Sequence, residues 1–143
     1  MWFDREVSMK KFLAAAALMF GASQLAATTV ESGTGDWSNI PEMRQMVDSI
    51  DSDTVAAIHE MIESGECAIE GQRAGKLDMT VPFLIQVNAS GNIDRLVVEK
   101  FGCDKAEGLL AGALLKLLDR GGYRPKGGMH EGWFRGDVSF AHS

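Results

Sequence analysis

From Leu77 to Val87 every second residue is apolar: Leu77, Met79, Val81, Phe83, Ile85 and Val87 alternate with mostly polar neighbours. That period of two predicts a strand with one buried face. Pro82 interrupts the polar side and has no N–H to give to a ladder, so an unpaired donor position or a bulge is expected there. The polar stretch NASGN (88–92) reads as a turn, and IDRLVVEKF (93–101) follows as a second strand. Leu96 and Val98 fall on one side of it, and Ile93, Val97 and Phe101 on the other. Strand, short turn and strand make a β-hairpin. The period then changes. Over 105–120, Leu109, Leu110, Ala113, Leu114, Leu117 and Leu118 form the broad apolar face of a helix, with Asp104 placed to cap it and Gly121-Gly122 to stop it. Tyr123-Arg124-Pro125 and a glycine turn lead to a last strand, WFRGDVSF. Here Phe134, Val138 and Phe140 are expected inward, and Trp133 and Arg135 outward.

Upstream of the hairpin, Met43, Met46, Val47 and Ile50 have helical spacing, and Pro41 suits a first turn, so a short helix is expected from Pro41. A second helix carries Val55, Ile58, Met61 and Ile62, with Ser52 or Asp53 as N-cap and Gly65 after its end. Asp51 and Asp53 are spaced like the first ligands of a calcium loop, but the required glycine and later glutamate are missing. The methionines of these helices read as adaptable core filler. Residues 28–40 are polar and glycine-bearing, a flexible lead-in whose Trp37 packs on the domain edge. The pattern as a whole predicts an α+β fold: a small antiparallel sheet in the order β-β-α-β (67–143) behind a helical extension (41–66).

The first 27 residues change the picture of where the protein works. From Met9 the chain reads MKKFLAAAALMFGASQLAA: two lysines, a short apolar run and small residues, the layout of a secretory signal peptide. Translation is expected to start at Met9, because Asp4 and Glu6 precede it where a leader should be basic. The apolar run is shorter than the about 20 residues a spanning helix needs, so no membrane anchor is expected to be retained. Removing residues 1–27 takes away three basic and two acidic residues, leaving 11 basic against 18 acidic and a net charge of −7. An acidic domain without a basic stripe is a poor partner for nucleic acid or anionic lipid.

Cys67 and Cys103 are the two cysteines of the chain. In an oxidising compartment an even pair predicts a disulfide. No CxxC pair is present, and His59, His130 and His142 are scattered, which speaks against a metal site. His59 falls on the polar side of its helix, His130 in a glycine-flanked turn and His142 in the tail. His130 is expected to be solvated, and neither His59 nor His142 needs a function.

The first strand VPFLIQVNASGNI, the second strand DRLVVEKFGC, the helix KAEGLLAGALLKLLDRGG, the triplet Tyr123-Arg124-Pro125 and the apolar strand ending at Phe140 together resemble the TonB C-terminal domain family. The triplet stands in the place of that family's aromatic-x-Pro signature, and the resemblance covers about residues 77–141. It implies a periplasmic domain whose last strand pairs with an extended peptide of an outer-membrane partner by β-augmentation. Transferred to this chain, the edge runs along Trp133, Arg135, Asp137 and Ser139, with Tyr123 and Arg124 near its base. The chain departs from energy-transducing members: it holds three prolines in all, too few for a proline-rich spacer, and no anchor is expected. The cysteine pair and the methionine-rich extension are also outside the family pattern.

The expected function is therefore a non-catalytic periplasmic binding module for a protein or peptide of the bacterial envelope, without cofactor, metal or nucleic acid. It is expected to be a monomer or a strand-exchanged homodimer. Two alternatives stand beside it. One is an interaction protein that docks through its Met-rich helical face, with Met43 and Met61. The other is a small enzyme built on His130, Glu131, Asp137 and the cysteines, although no nucleophile motif or phosphate loop joins them.

Overall fold

The computed structural model describes residues 27–46, 50–69, 72 and 75–142. The leader, start and cleavage zone expected over residues 1–27 fall outside these, apart from Ala27. In chain order the elements are β1 (Thr29–Gly33), β2 (Arg44–Gln45), α1 (Ser52–Glu63), β3 (Leu77–Val87), β4 (Ile93–Glu99), α2 (Asp104–Asp119), β5 (Tyr123–Arg124) and β6 (Gly132–His142). Four strands form one sheet in the order β1-β4-β3-β6, and β2 pairs with β5 in a separate two-stranded ladder. The expected α+β class is present: a small sheet with two helices.

β3 lies in the middle because its alternation is the strongest in the chain. Val81, Phe83, Ile85 and Val87 point to one face, joined there by Leu96 and Val98 of β4 and by Phe134, Val138 and Phe140 of β6. Against this face pack Val55, Ile58 and Met61 of α1 and Leu110, Leu114 and Leu117 of α2, all buried. The hairpin turn is held by Asn88, whose side-chain oxygen accepts from the N–H groups of Ser90 (2.9 Å) and Asn92 (3.0 Å). Pro82 stands opposite Asp137 and directly precedes Phe83, where the ladder with β4 begins. The bulge of that ladder falls instead between Gln86 and Val87.

Several local expectations are corrected. Among the described residues the helix expected from Pro41 is absent. Glu42 makes an isolated bridge to Arg135, and Arg44–Gln45 form β2, while Val47 lies outside the described residues. Met43 is buried, but as the side chain of an extended strap, because backbone pairing with β6 and β5 outweighs a weak helical period. The lead-in contains β1, which runs parallel to β4 from Thr29↔Arg95 to Gly33↔Glu99. Its sequence carries no apolar alternation because the strand borders the sheet without filling the core; Val30 is 44% exposed. Asp51, not Ser52 or Asp53, caps α1, with a carboxylate oxygen accepting from Thr54 N–H at 3.1 Å. Leu109 is exposed on the outer side of α2.

At α2 the cap is Cys103, which offers no side-chain bond, and Asp104 sits in the first turn. Glu107 does the work expected of Asp104. Its buried carboxylate reaches back to accept N–H bonds from Phe101 (2.9 Å), Gly102 (3.1 Å) and Cys103 (3.2 Å). The Cys67–Cys103 disulfide, with Cα atoms 5.5 Å apart, ties the chain after α1 to this same corner. At the other end of the helix Gly121 takes φ +77°, the left-handed stop expected of it.

His59 is also placed differently. It is buried, and its Nδ1 lies 2.6 Å from Nδ1 of His142 at the end of β6. Two imidazole nitrogens at that distance share one proton, so one ring donates and the other accepts. The helix periodicity gave no sign of this, because the partner is 83 residues away on a crossing strand.

Candidate functional site

β6 is the edge strand of the sheet. Its inner side is paired with β3 along its whole length, from Leu77↔His142 to Val87↔Gly132. Its outer side is identified by Arg135, whose N–H donates to the Pro41 carbonyl (2.8 Å) and whose carbonyl accepts from Met43 N–H (2.7 Å). Backbone groups alternate between the two sides of a strand, so Trp133, Asp137, Ser139 and Ala141 also direct theirs outward. Asp137 faces Pro82 at such a position, and no ladder bond is lost to the proline.

The outward row is occupied at one end and open at the other. Arg135 is bonded to the strap. The Asp137 carbonyl accepts the Tyr123 hydroxyl at 2.7 Å. The outward groups of Ser139 and Ala141 have no backbone partner among the described residues. An extended chain laid along this stretch would meet the donors and acceptors of an unfinished ladder.

The side chains of Trp133, Arg135, Asp137 and Ser139 alternate on the face of the sheet away from the helices, as their spacing predicts. Asp137 and Ser139 are exposed, and Ser139 Oγ lies 2.8 Å from Thr80 Oγ1. Trp133 is half-buried with the Arg95 guanidinium 5.1 Å from its ring centroid, and Arg95 in turn gives Nε (2.9 Å) and Nη2 (2.8 Å) to Glu31. Arg135 donates from Nη1 to the Trp37 carbonyl at 3.3 Å and places Nη2 3.7 Å from Glu42, while its Nε is buried without a partner.

Tyr123 and Arg124 form β5, antiparallel to β2. Tyr123 is 2% exposed and stacks edge-on to Phe83 at 5.0 Å. Burial, with the Asp137 charge behind it, pushes its hydroxyl up from 10 to about 12. It therefore supports the edge from below and is itself almost closed to solvent. Arg124 is exposed, with its guanidinium lying back over Gly121. Gly136 belongs to the site for a steric reason. A Cβ there would sit 2.6 Å from the Phe83 ring and 3.2 Å from the Met43 methyl, so glycine makes room for Phe83 and for the Met43 side chain beside it.

The other candidate residues lie apart. His130 is exposed in its turn, with Nε2 3.3 Å from the Lys126 carbonyl and its ring edge-on to Phe134. Met43 and Met61 are in the core, which leaves Met46 as the exposed methionine of the expected helical faces. No group of three or more His, Cys, Asp or Glu gathers among the described residues. No helix among them is long and apolar enough to cross a membrane. An open depression of about 250 Å³ lies between Lys76–Asp78 and Ala141–His142, at the far end of the same edge.

What sequence reasoning missed is the strap. Its only signal was Pro41 followed by Glu42 and Met43, a proline, an acid and an apolar residue that fit an edge as well as a helix. Compared with models of known families, with curated proteins and with solved structures, the chain matches none of them.

Proposed function

We propose that this protein is an exported, non-catalytic binding module of the periplasm that captures an extended segment of an envelope protein along the outer edge of β6. One observation carries this: the outward backbone groups of Ser139 and Ala141 are open, on a strand whose neighbouring residue Arg135 already accepts an extended segment. The resemblance to TonB C-terminal domains supports the same edge and the same kind of partner, without energy transduction. The leader-like N-terminus and the Cys67–Cys103 disulfide fit export to an oxidising compartment.

Ser139→Pro tests this reading. The substitution removes an outward N–H and leaves the β3–β6 bonds in place, whereas a proline at Val138 would break the sheet itself. Site-specific photocrosslinking from Ser139 in the periplasm should trap one partner, and Ser139→Pro should abolish its capture with the fold intact by circular dichroism. Capture that survives the substitution sinks the edge. If it is lost instead on changing Met46, docking through the strap side replaces it.

A further inference from the structure

The strap occupies the best part of the edge, and it does so imperfectly. Pro41–Met43 runs parallel to β6, with Glu42 bridged to Arg135 and the Met43 side chain buried over Gly136 and Phe83. The chain then turns away: Met46 N–H donates to the Gly122 carbonyl at 2.7 Å, and Arg44–Gln45 pair with β5. Among the described residues, two bonds to Arg135 are all the backbone pairing the strap makes with β6. Its ion pair is long, Glu42 to Arg135 Nη2 at 3.7 Å, with the Glu42 side chain 59% exposed. Meanwhile Arg135 Nε is buried with no partner. A buried guanidinium donor left unmatched is unfavourable, and a carboxylate that takes Nε and Nη2 together would be bound more strongly than Glu42 is.

We infer that Pro41–Met43 is a built-in competitor, and that the partner segment enters by displacing it from β6. The inference rests on the edge-capture reading above and specifies the partner: an extended protein segment, parallel to β6, with an Asp or Glu that grips Arg135 side-on. The next residue is an unbranched apolar side chain that fills the place of Met43 against Gly136. The segment continues past Asp137 along Ser139 and Ala141, where the strap does not reach. Because the strap is tethered, it competes at an effective concentration of about millimolar. A short peptide therefore binds the intact protein weakly, and only a segment with the better Arg135 contact and the longer pairing displaces the strap.

The probe is a synthetic peptide of this chain's own residues 39–46. Met43→Asp dislodges the strap from its apolar seat, and this variant should bind the peptide at least tenfold more tightly than the unaltered protein does. A peptide carrying Glu42→Lys should bind the variant at least threefold more weakly than the unaltered peptide. Equal binding to both proteins, or none to the folded variant, overturns the inference. Amide exchange of the unaltered protein gives a second test that needs no variant. The Met43 and Met46 amides should exchange at least 100-fold faster than those of Phe83 and Ile85, through an opening that spares the sheet. Exchange of all four in one global event makes the strap a fixed part of the core, and the inference falls while the Ser139→Pro test still stands for the edge. A dimer at micromolar concentration that gains no peptide binding until dissociated would assign the seat to a second copy, and that also overturns it.

Discussion

One continuous stretch of chain, residues 28–46, runs along both flanks of the β4-β3-β6 core of the sheet, as the strand β1 beside β4 and as the strap beside β6, and the two flanks are held very differently. At the β4 edge, β1 pairs over five residues, and the Gly33 carbonyl accepts from Lys100 N–H at 3.0 Å. Thr28 Oγ1 donates to the Ile93 carbonyl at 2.9 Å, and Glu31 holds Arg95. Beyond the end of β4 the Glu107 carboxylate gathers the turn from Phe101 to Cys103, and Cys103 is bonded to Cys67. At the β6 edge there are the two backbone bonds to Arg135, the Arg135 Nη1 bond to the Trp37 carbonyl at 3.3 Å, one hydroxyl on the Asp137 carbonyl and a long ion pair. The β4 flank carries a full strand with side-chain ties and a disulfide near its end, while the β6 flank is covered only at its start. Proteins suppress unwanted edge pairing by covering or twisting exposed strands, and along β6 that cover reaches only the stretch around Arg135 and Asp137.

The largest test of this contrast is to remove the covalent part of the closed side. Cys67→Ser with Cys103→Ser opens a loop with a sequence separation of 36. The loss should be about 3 to 4 kcal/mol by chain-entropy reasoning. Urea denaturation of the double variant should show it as a lower midpoint with little change at the β6 edge. Ser139 amide exchange relative to the rest of the sheet is the check on that second half. A variant whose β6 edge loosens first would mean the two sides are not independent.

How far this contrast was legible in the sequence follows from what each side is made of. The hairpin, α2 and β6 announce themselves because their side chains fill a core: Phe83, Ile85, Leu96 and Leu114 are fully buried and carry the period of their elements. The outward set Trp133, Arg135, Asp137 and Ser139 could be placed for the same reason. β1 and the strap are held mainly by main-chain bonds, and a hydrogen-bonded backbone leaves no trace in side-chain pattern. Met43 shows the ambiguity: its spacing to Met46 and Ile50 is helical, yet its burial comes from the absent Cβ of Gly136 and the ring of Phe83, nearly a hundred residues away in one case and forty in the other. Glu107 was invisible as a cap because it sits beyond the position where capping glutamates are sought and acts on three residues before the helix.

The second test separates the edges by pH, with opposite signs. Tyr123 anchors the β6 side, and it is the only tyrosine in the chain, so absorbance at 295 nm follows it alone. Its folded value of about 12 lies above the ordinary 10. The stability this contributes is complete below pH 10 and is lost as pH rises toward 12, by about 2 to 3 kcal/mol. On the β4 side, burial of Glu107 opposes ionisation, but the Phe101, Gly102 and Cys103 N–H groups and the Ser32 side chain outweigh it and hold the carboxyl below its ordinary value. That contribution is present above the ordinary glutamate range and is lost as pH falls through the lowered value. Glu107→Gln should cost about 2 kcal/mol at neutral pH and flatten the acid limb of the stability curve, leaving the alkaline limb unchanged. An acid limb that keeps its slope in this variant would remove Glu107 as the anchor of the closed edge.

The smallest expected effect is the sharpest comparison, because the two edges each carry one ion pair of similar chemistry. Glu31 meets Arg95 at 2.8 Å with both side chains about two-fifths exposed, and Arg95 also stands over Trp133. Glu42 stands 3.7 Å from Arg135 and is 59% exposed. Exposed pairs are worth little, and that worth depends on geometry. Glu31→Gln should therefore lower stability by about 0.5 kcal/mol, and Glu42→Gln by about 0.2 kcal/mol or less, both read from urea midpoints at low salt. The Glu42 substitution should nevertheless speed exchange of the Met43 amide, since that amide donates to Arg135, the residue Glu42 pairs with, while Glu31→Gln leaves the amides of β1 slow under five residue pairs of ladder. Equal stability losses with equal changes in exchange would erase the distinction between the edges. A near-silent Glu42→Gln that still loosens Met43 would mean that the ion pair positions the strap without contributing to the fold.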